Sequence, residues 1–444
     1  MNKKIWIMAL LSGLLFTYSC DKDSENPDVE TDTEQPSDIP DPDGQDDDSS
    51  GDGNDASDSP VEFLNRALVD NNYILINNAA SNRVYLINKQ GETLYEWPLN
   101  SNIGNDVVWL PDERLLASLE AETPKITFGG QGGKLQFTDK DGNVLWNFDY
   151  SSEEAETHHD VELLPNGNVI TLVWEKRAAD VAENAGSDLG IDVYPEAVIE
   201  VNPETNEIVW EWHAWDHLIQ DHDDTKENYG NVGEHPELID LNFVPQEDGD
   251  IMHANALTYD AVNDVIYISV NFYHEVWVID HSTTSEEAAG HTGGNFNKGG
   301  DLIYRFGNPE AYRNTAGTRL FYNNHYPNLL QGDDLGKMLI YSNGNGLDQS
   351  TVYELRLPSP FSLLPDTDNE PEITWSFTHP DLYAPKVSGA VQLPNGNILI
   401  TEGDFGLWEV TRDGEVVWKY SAPGFYWRAY HYNKDAPEIM ALGL

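Results

Sequence analysis

The 444-residue chain carries 24 Lys and Arg against 78 Asp and Glu, a formal net charge of −54. That excess argues against nucleic-acid binding, which depends on Lys and Arg to neutralise phosphates. Its one cysteine lies in the first 20 residues, so the chain beyond residue 20 has no disulfide, thiolate metal site or cysteine nucleophile, while 39% hydrophobic residues, 13 Trp and 21 Tyr suffice for a large β-rich core.

In chain order, Lys3-Lys4, an apolar run from Ile5 to Phe16 and then Tyr18-Ser19-Cys20 form a signal peptide too short to span a membrane as a helix. Cys20 stands where a bacterial lipoprotein signal is cut and acylated. The expectation is an exported protein, lipid-anchored at Cys20 to a bacterial membrane on its periplasmic or cell-surface side; the alternative is a secreted chain with an incidental leader cysteine. Residues 21–60 hold 16 acidic side chains against one Lys. Such a segment repels itself and has little apolar surface to bury, so it reads as a disordered acidic stalk. Subtracting its −15 from −54 leaves −39 on the rest of the chain.

Folded sequence begins near Val61, and residues 61–444 repeat one theme. A typical unit has a hairpin turning on Pro-Asn-Gly or a relative of it, followed by an apolar strand, an Asp-Gly-like turn and a strand ending in tryptophan. The clearest copy runs from His158-His159-Asp160 through Pro165-Asn166-Gly167 to Trp174-Glu175. Six second hairpins are present: VYLINKQGETLYEW, KLQFTDKDGNVLWNF, AVIEVNPETNEIVWEW, EVWVID with DLIYRF, TVYELRLP with EITWSF, and LWEVTRDGEVVWKY. Four short strands per repeat cannot bury both faces alone, so the expected fold is all-β, a six-bladed β-propeller. The C-terminal run FYWRAYHYN is expected to pair with N-terminal strands and close the ring. Long insertions at 176–197, 213–252 and 308–324 are expected on the top face, and 281–300 is expected to hang from the bottom.

Aligning the repeats on their turns puts Asn105, His159, His253, His325 and Ser388 at one position, about six residues before each turn. Second strands end nearby in Asn77, Glu120, Glu175, Asn271, Asn343 and Glu402. His159, His253 and His325 therefore read as an imidazole set near the channel axis, able to supply a nucleophile or a general acid or base; packing histidines bonded to backbone are the plainer alternative. Asn255, on the same strand face as His253, with Asn271 and Asn343, offers amides for a substrate oxygen, or else forms turns. His213, Asp216, His217, Asp221, His222, Asp223 and Asp224 also cluster, and on a helix His213 and His217 would share a face. An acidic interblade loop is solvated anyway, so no metal is assigned. No phosphate loop, dinucleotide fingerprint or GxSxG elbow is present, and no cofactor is expected.

At HHDVELLPNGNVITLVWEKR, NEIVWEWHAWDHLIQD, MHANALTYDAVNDVIYISVN, WVIDHSTTSEEAAGHTGGN and DLIYRFGNPEAYR the chain resembles the bacterial aryl-sulfate sulfotransferases, over essentially residues 70–432. The resemblance implies an exported six-bladed propeller that moves a sulfuryl group from a phenolic sulfate ester to a phenol acceptor, through a transiently sulfated histidine and without a nucleotide donor. His253 with Asn255 matches the family's HxN block, and His325 its blade-five histidine. Where the family has arginines, this chain reads Ser269-Val270-Asn271 and Leu347; where it has a last-blade histidine, this chain reads Glu402-Gly403-Asp404. Arg428 or His431 is left as the substitute from the C-terminal strand. The rival reading is a catalytically silent propeller that binds a glycan, a peptide or a protein partner at the same mouth.

Overall fold

The computed structural model describes residues 59–444; the leader, Cys20 and almost all of the acidic segment lie outside the described residues. Six antiparallel sheets are arranged as the blades of a propeller. Blades 2 to 5 each take four strands in chain order from the axis outward, with inner strands Ile103–Trp109, Ala155–Leu163, Ala254–Asp260 and Asn324–Leu329. Blade 6 starts from Gly389–Gln392 and ends in Val416–Ser421, to which the first strand of the described chain, Val61–Leu64, adds as a fifth. Blade 1 takes its innermost strand from the far end of the chain: Tyr426–Tyr432 pairs with Tyr73–Asn78. The ring closes as the sequence led one to expect.

The turns follow from local chemistry. In Leu164-Pro165-Asn166-Gly167-Asn168 the Leu164 N–H donates to Asn168 O at 2.8 Å, and Gly167 takes φ 88. Leu393 to Asn397 repeats this geometry with Gly396 at φ 87. Leu110 to Arg114 repeats it again with Glu113 at φ 66, a conformation that side chains other than glycine adopt only at a cost.

Both faces of each blade are covered, so second strands such as Val265–Val270 read as nearly continuous apolar runs. One apolar cluster fills each blade-to-blade interface. Leu172, Trp210 and Trp212 meet Ile266, Ile268 and Trp277 between blades 3 and 4; Leu86 and Trp97 meet Val107 and Trp109 between blades 1 and 2. Trp97, Trp109, Trp174, Trp212, Trp277, Trp408 and Trp418 are among the largest fully buried side chains. Each such indole removes on the order of 150–250 Å² from water, a gross gain of roughly 4–6 kcal/mol.

The insertions at 176–197 and 213–252 knit together beside blade 3. The helix Ala179–Ala185 ends at Gly186, whose carbonyl accepts from Asn242 Nδ2 at 2.8 Å, and Tyr194 N–H donates to Gly249 O at 2.9 Å. The 281–300 insertion does not simply hang from the bottom. Its short helix Ser285–Ala288 packs along the outer strand of blade 3, where Thr283 Oγ1 accepts from Trp210 Nε1 at 3.2 Å and Gly300 O from Trp212 Nε1 at 2.7 Å.

Truncation before Tyr426 exposes the inner edge of blade 1 and leaves the ring open. The truncated chain is expected to lose its cooperative thermal transition, read by circular dichroism; an unchanged transition would count against ring closure as a stabilising element.

Candidate active site

The inner strands of blades 3, 4 and 5 each lose ladder register near their start. In blade 3, Thr171 pairs with Val161 but Leu172 with His158, so His159 and Asp160 bulge toward the axis, and His159 takes φ 51. His253 takes φ 53 and Ser388 φ 89. In blade 5 His325 stays paired with Tyr341, and it is Tyr326 that takes φ 53. Left-handed backbone at a non-glycine residue costs on the order of 1–3 kcal/mol and marks positions held for a purpose.

These bulges bring the three imidazoles together. The His159 and His253 rings lie edge to face at 5.0 Å. His325 is near enough to both that a charge on one ring would oppose a charge on the next. Aromatic rings wall the group: Trp427 lies 5.4 Å from His159, and Phe272 stacks on His253 at 4.7 Å. Gly130 faces the His159 ring, and a Cβ there would come within 2.2 Å of it.

Each imidazole has an orienting partner. His325 Nδ1 lies 2.6 Å from Asn343 Oδ1, while Asn343 Nδ2 donates to Ala384 O at 2.9 Å and Val387 O at 3.1 Å. Those two carbonyls fix the amide's orientation, so Nδ1 of His325 must carry the proton and Nε2 the lone pair. Burial drives the His325 pKa down to about 3, despite the opposing bond to Asn343. His253 Nδ1 bonds the Asp250 carboxylate. His159 Nδ1 meets His158 Nδ1 at 2.8 Å, and His158 Nε2 meets Glu196 Oε2 at 2.8 Å with its ring stacked on Trp174 at 3.8 Å. Burial first, and then its neighbours His253, His158 and His325, hold His159 well below its ordinary value. Burial, followed by the Asp250 charge, pushes Glu196 well above its own.

The amides divide in role. Asn255 Nδ2 at 2.8 Å, Ser269 Oγ at 3.1 Å and Asn271 Nδ2 at 3.2 Å all donate to Asn324 O, and Asn271 Oδ1 accepts from Asn323 Nδ2. Together they fix the backbone just before His325. Asn255 Oδ1 is buried and has no hydrogen-bond partner among the described residues. Asn105 and Ser388, at the same repeat position, bond nearby backbone.

Arg428 lies in the channel core, 4% exposed, with Nη1 and Nη2 donating to the two Asp160 oxygens at 2.7 and 2.8 Å and Nη1 3.4 Å from Asp106. His431 lies three residues farther along that strand, toward the turn side, where it lines a cavity of about 760 Å³ with Leu330, Leu393 and Tyr432. That cavity is on the face opposite the histidines, so it does not mark the chemistry. The short turn Ala214–His217 is not a helix that pairs His213 with His217: His213 bonds Glu175 at 2.9 Å, and His217 faces Asp301.

Sequence pattern alone does not single out His158, Glu196 or Asp250. His158 adjoins His159, and Asp250 precedes His253 by three residues, so both stand beside a legible position; Glu196 is 38 residues from its partner, and only blade geometry joins them.

The arylsulfotransferase (ASST) family model matches residues 61–422. The chain belongs to the arylsulfotransferase family. A sulfotransferase-type enzyme of propeller fold is thus the established frame. No curated protein matches the chain. Solved structures similar to it include a Bacteroides caccae protein of unknown function, 15% identical, with TM-score 0.47, covering 81% of this chain and 98% of that one. Another is the Pseudomonas aeruginosa periplasmic gluconolactonase, 11% identical, with TM-score 0.43, covering 83% and 100%.

The neutral His325 sets the sign of one pH effect in this family member. Between its ordinary 6.5 and about 3 the unfolded chain binds a proton at this residue and the folded chain does not, so stability falls as pH falls through that window. His325→Gln is expected to lose less stability than the parent between about pH 7.5 and about pH 5, read as the shift in urea midpoint. An identical shift in both would exclude a buried neutral ring.

Proposed function

We propose that the histidine cluster transfers a sulfuryl group from a phenolic sulfate ester to a phenol, without cofactor, and that His325 is the nucleophile. The supporting observation is the bond from His325 Nδ1–H to an amide that cannot turn, which leaves Nε2 unprotonated with its lone pair free. His325 at 9% and His253 at 5% are the most exposed of the three rings. Nε2 of His325 attacks sulfur and the aryl S–O bond breaks. The departing phenolate takes the Nε2 proton of His253, which enters the step as an imidazolium with its Nδ1–H held by the Asp250 carboxylate. The acceptor phenol then returns that proton to His253 as its oxygen attacks sulfur and the S–N bond breaks. Trp427 and Phe272 supply faces for the aryl rings. His159, braced by His158 and Glu196, and the open Oδ1 of Asn255 complete the substrate environment.

One observation favours the silent-binder reading: Arg428, the cation at the core, is already neutralised by Asp160 and Asp106. Assay with p-nitrophenyl sulfate and a phenol acceptor decides between the two. Acceptor-dependent release of p-nitrophenolate is expected, abolished in His325→Ala and reduced on the order of 10²–10⁴-fold in His253→Ala. Asn343→Leu is expected to lower kcat with KM little changed, because it frees the tautomer. No turnover with a broad panel of phenols would support a binding role.

We further infer export and anchoring through acylated Cys20, on the Lys3-Lys4, apolar run and cysteine of the leader. Labelling cells with radioactive palmitate should mark the parent and not Cys20→Ser; equal labelling or none in the parent would reject the anchor.

A further inference from the structure

The connection after blade 3 and the insertion of blade 4 meet in a second histidine cluster, on the outer wall and separate from the channel. His217 is fully buried, its ring parallel to Trp212 at 5.9 Å. Its Nδ1 lies 2.8 Å from Asp301 Oδ1, and His291 Nδ1 approaches the same oxygen at 2.7 Å. One ligand atom from each of the three residues lies within 4.8 Å of the others.

The proton positions make this more than an ion pair. His217 Nε2 is 2.8 Å from Ala288 O, which can only accept, so Nε2 carries the hydrogen. In the neutral ring Nδ1 then presents a lone pair to a carboxylate oxygen, two acceptors face to face. A cation between them resolves the conflict, and a backbone carbonyl taking the other ring N–H is the outer partner a metal-bound histidine usually has. The loop is shaped around this contact. Gly300 N–H donates to Gly290 O at 3.0 Å, and a Cβ on Gly300 would stand 2.0 Å from Ala288 O and 2.4 Å from His217 Nε2. His291, with a side chain 63% exposed, leaves one side open to solvent for water as a further ligand.

We propose that His217 Nδ1, His291 Nδ1 and an Asp301 oxygen bind a divalent transition metal, Zn²⁺ by the chemistry of two imidazoles and one carboxylate. Tetrahedral ligands about 2.0–2.2 Å from zinc stand roughly 3.3 Å apart, so the donors must part by about half an ångström. The exposed His291 side permits that movement. The metal would pin the 281–303 insertion against the 213–252 connection, the segment that also carries Asp250.

The test uses the full folded chain, stripped with chelator, dialysed and titrated calorimetrically with ZnCl₂, and Co²⁺ as a spectroscopic substitute. One Zn²⁺ per chain, a raised Tm with zinc and visible Co²⁺ bands are expected. Because its ring is exposed, His291→Ala should fold normally, as checked by circular dichroism, and bind zinc at least about ten-fold more weakly, as should Asp301→Asn. His235→Ala, an exposed histidine of the 213–252 connection, should match the parent. No heat and no shift in Tm at millimolar zinc, or binding unaltered in His291→Ala, would overturn the site and leave an imidazolium–carboxylate pair.

Discussion

The pair between Arg428 and Asp160, with Asp106 beside it, is the constraint on which the channel depends. Arg428 comes from the inner strand of blade 1, Asp106 from blade 2 and Asp160 from blade 3. Asp160 Oδ2 also accepts from the Leu257 N–H of blade 4 at 2.8 Å, and the guanidinium lies 4.1 Å over the Tyr326 ring of blade 5. Tyr430 O–H adds bonds to both Asp106 oxygens. Five blades thus meet at one buried cation. An isolated charge here would be untenable, and removing one member of such a pair costs roughly 3–5 kcal/mol against about 1 kcal/mol for an ordinary hydrogen bond. The cation is matched so fully that burial still lifts Asp106 to about 6, Arg428 opposing that rise and Asp160 adding to it.

Above this charged layer, His158, His159 and His325 are kept uncharged. Burial lowers His158, His159 and His325, while Glu196 beside them is pushed up. The two layers separate tasks: the lower one ties blades together, and the upper one offers neutral nitrogen. The net charge of −54 opposes the proposed anionic donor at a distance, but salt screens that repulsion beyond roughly 8 Å. Recognition of such a donor therefore falls to short-range contacts.

Much of the fold is legible in the sequence because its signals are local and repeated. Turn residues, apolar second strands and aromatic strand ends recur at similar spacing, and covering both faces of each blade admits few architectures. The repeat position of His159, His253 and His325 is legible for the same reason. What one-dimensional spacing cannot give is what a bulge does to direction. His159 and His253 bend at their own φ, whereas in blade 5 the bend falls on Tyr326. Nor can it show that Asn271 serves the Asn324 carbonyl, or that Arg428 answers two carboxylates more than 260 residues away. His217 shows the same limit: adjacency suggests His213 as its companion, yet its neighbours in space are 74 and 84 residues downstream.

Placing the innermost strand of blade 1 after blade 6 in the chain has a consequence for synthesis. Trp427, which flanks His159, and Arg428, which joins the blades, are synthesised after every other strand of the ring. Until they emerge, the nascent chain has an open ring and no complete pocket. The proposed sulfuryl chemistry is thereby deferred until that strand is made, a delay that suits the proposed passage across a membrane before the ring closes.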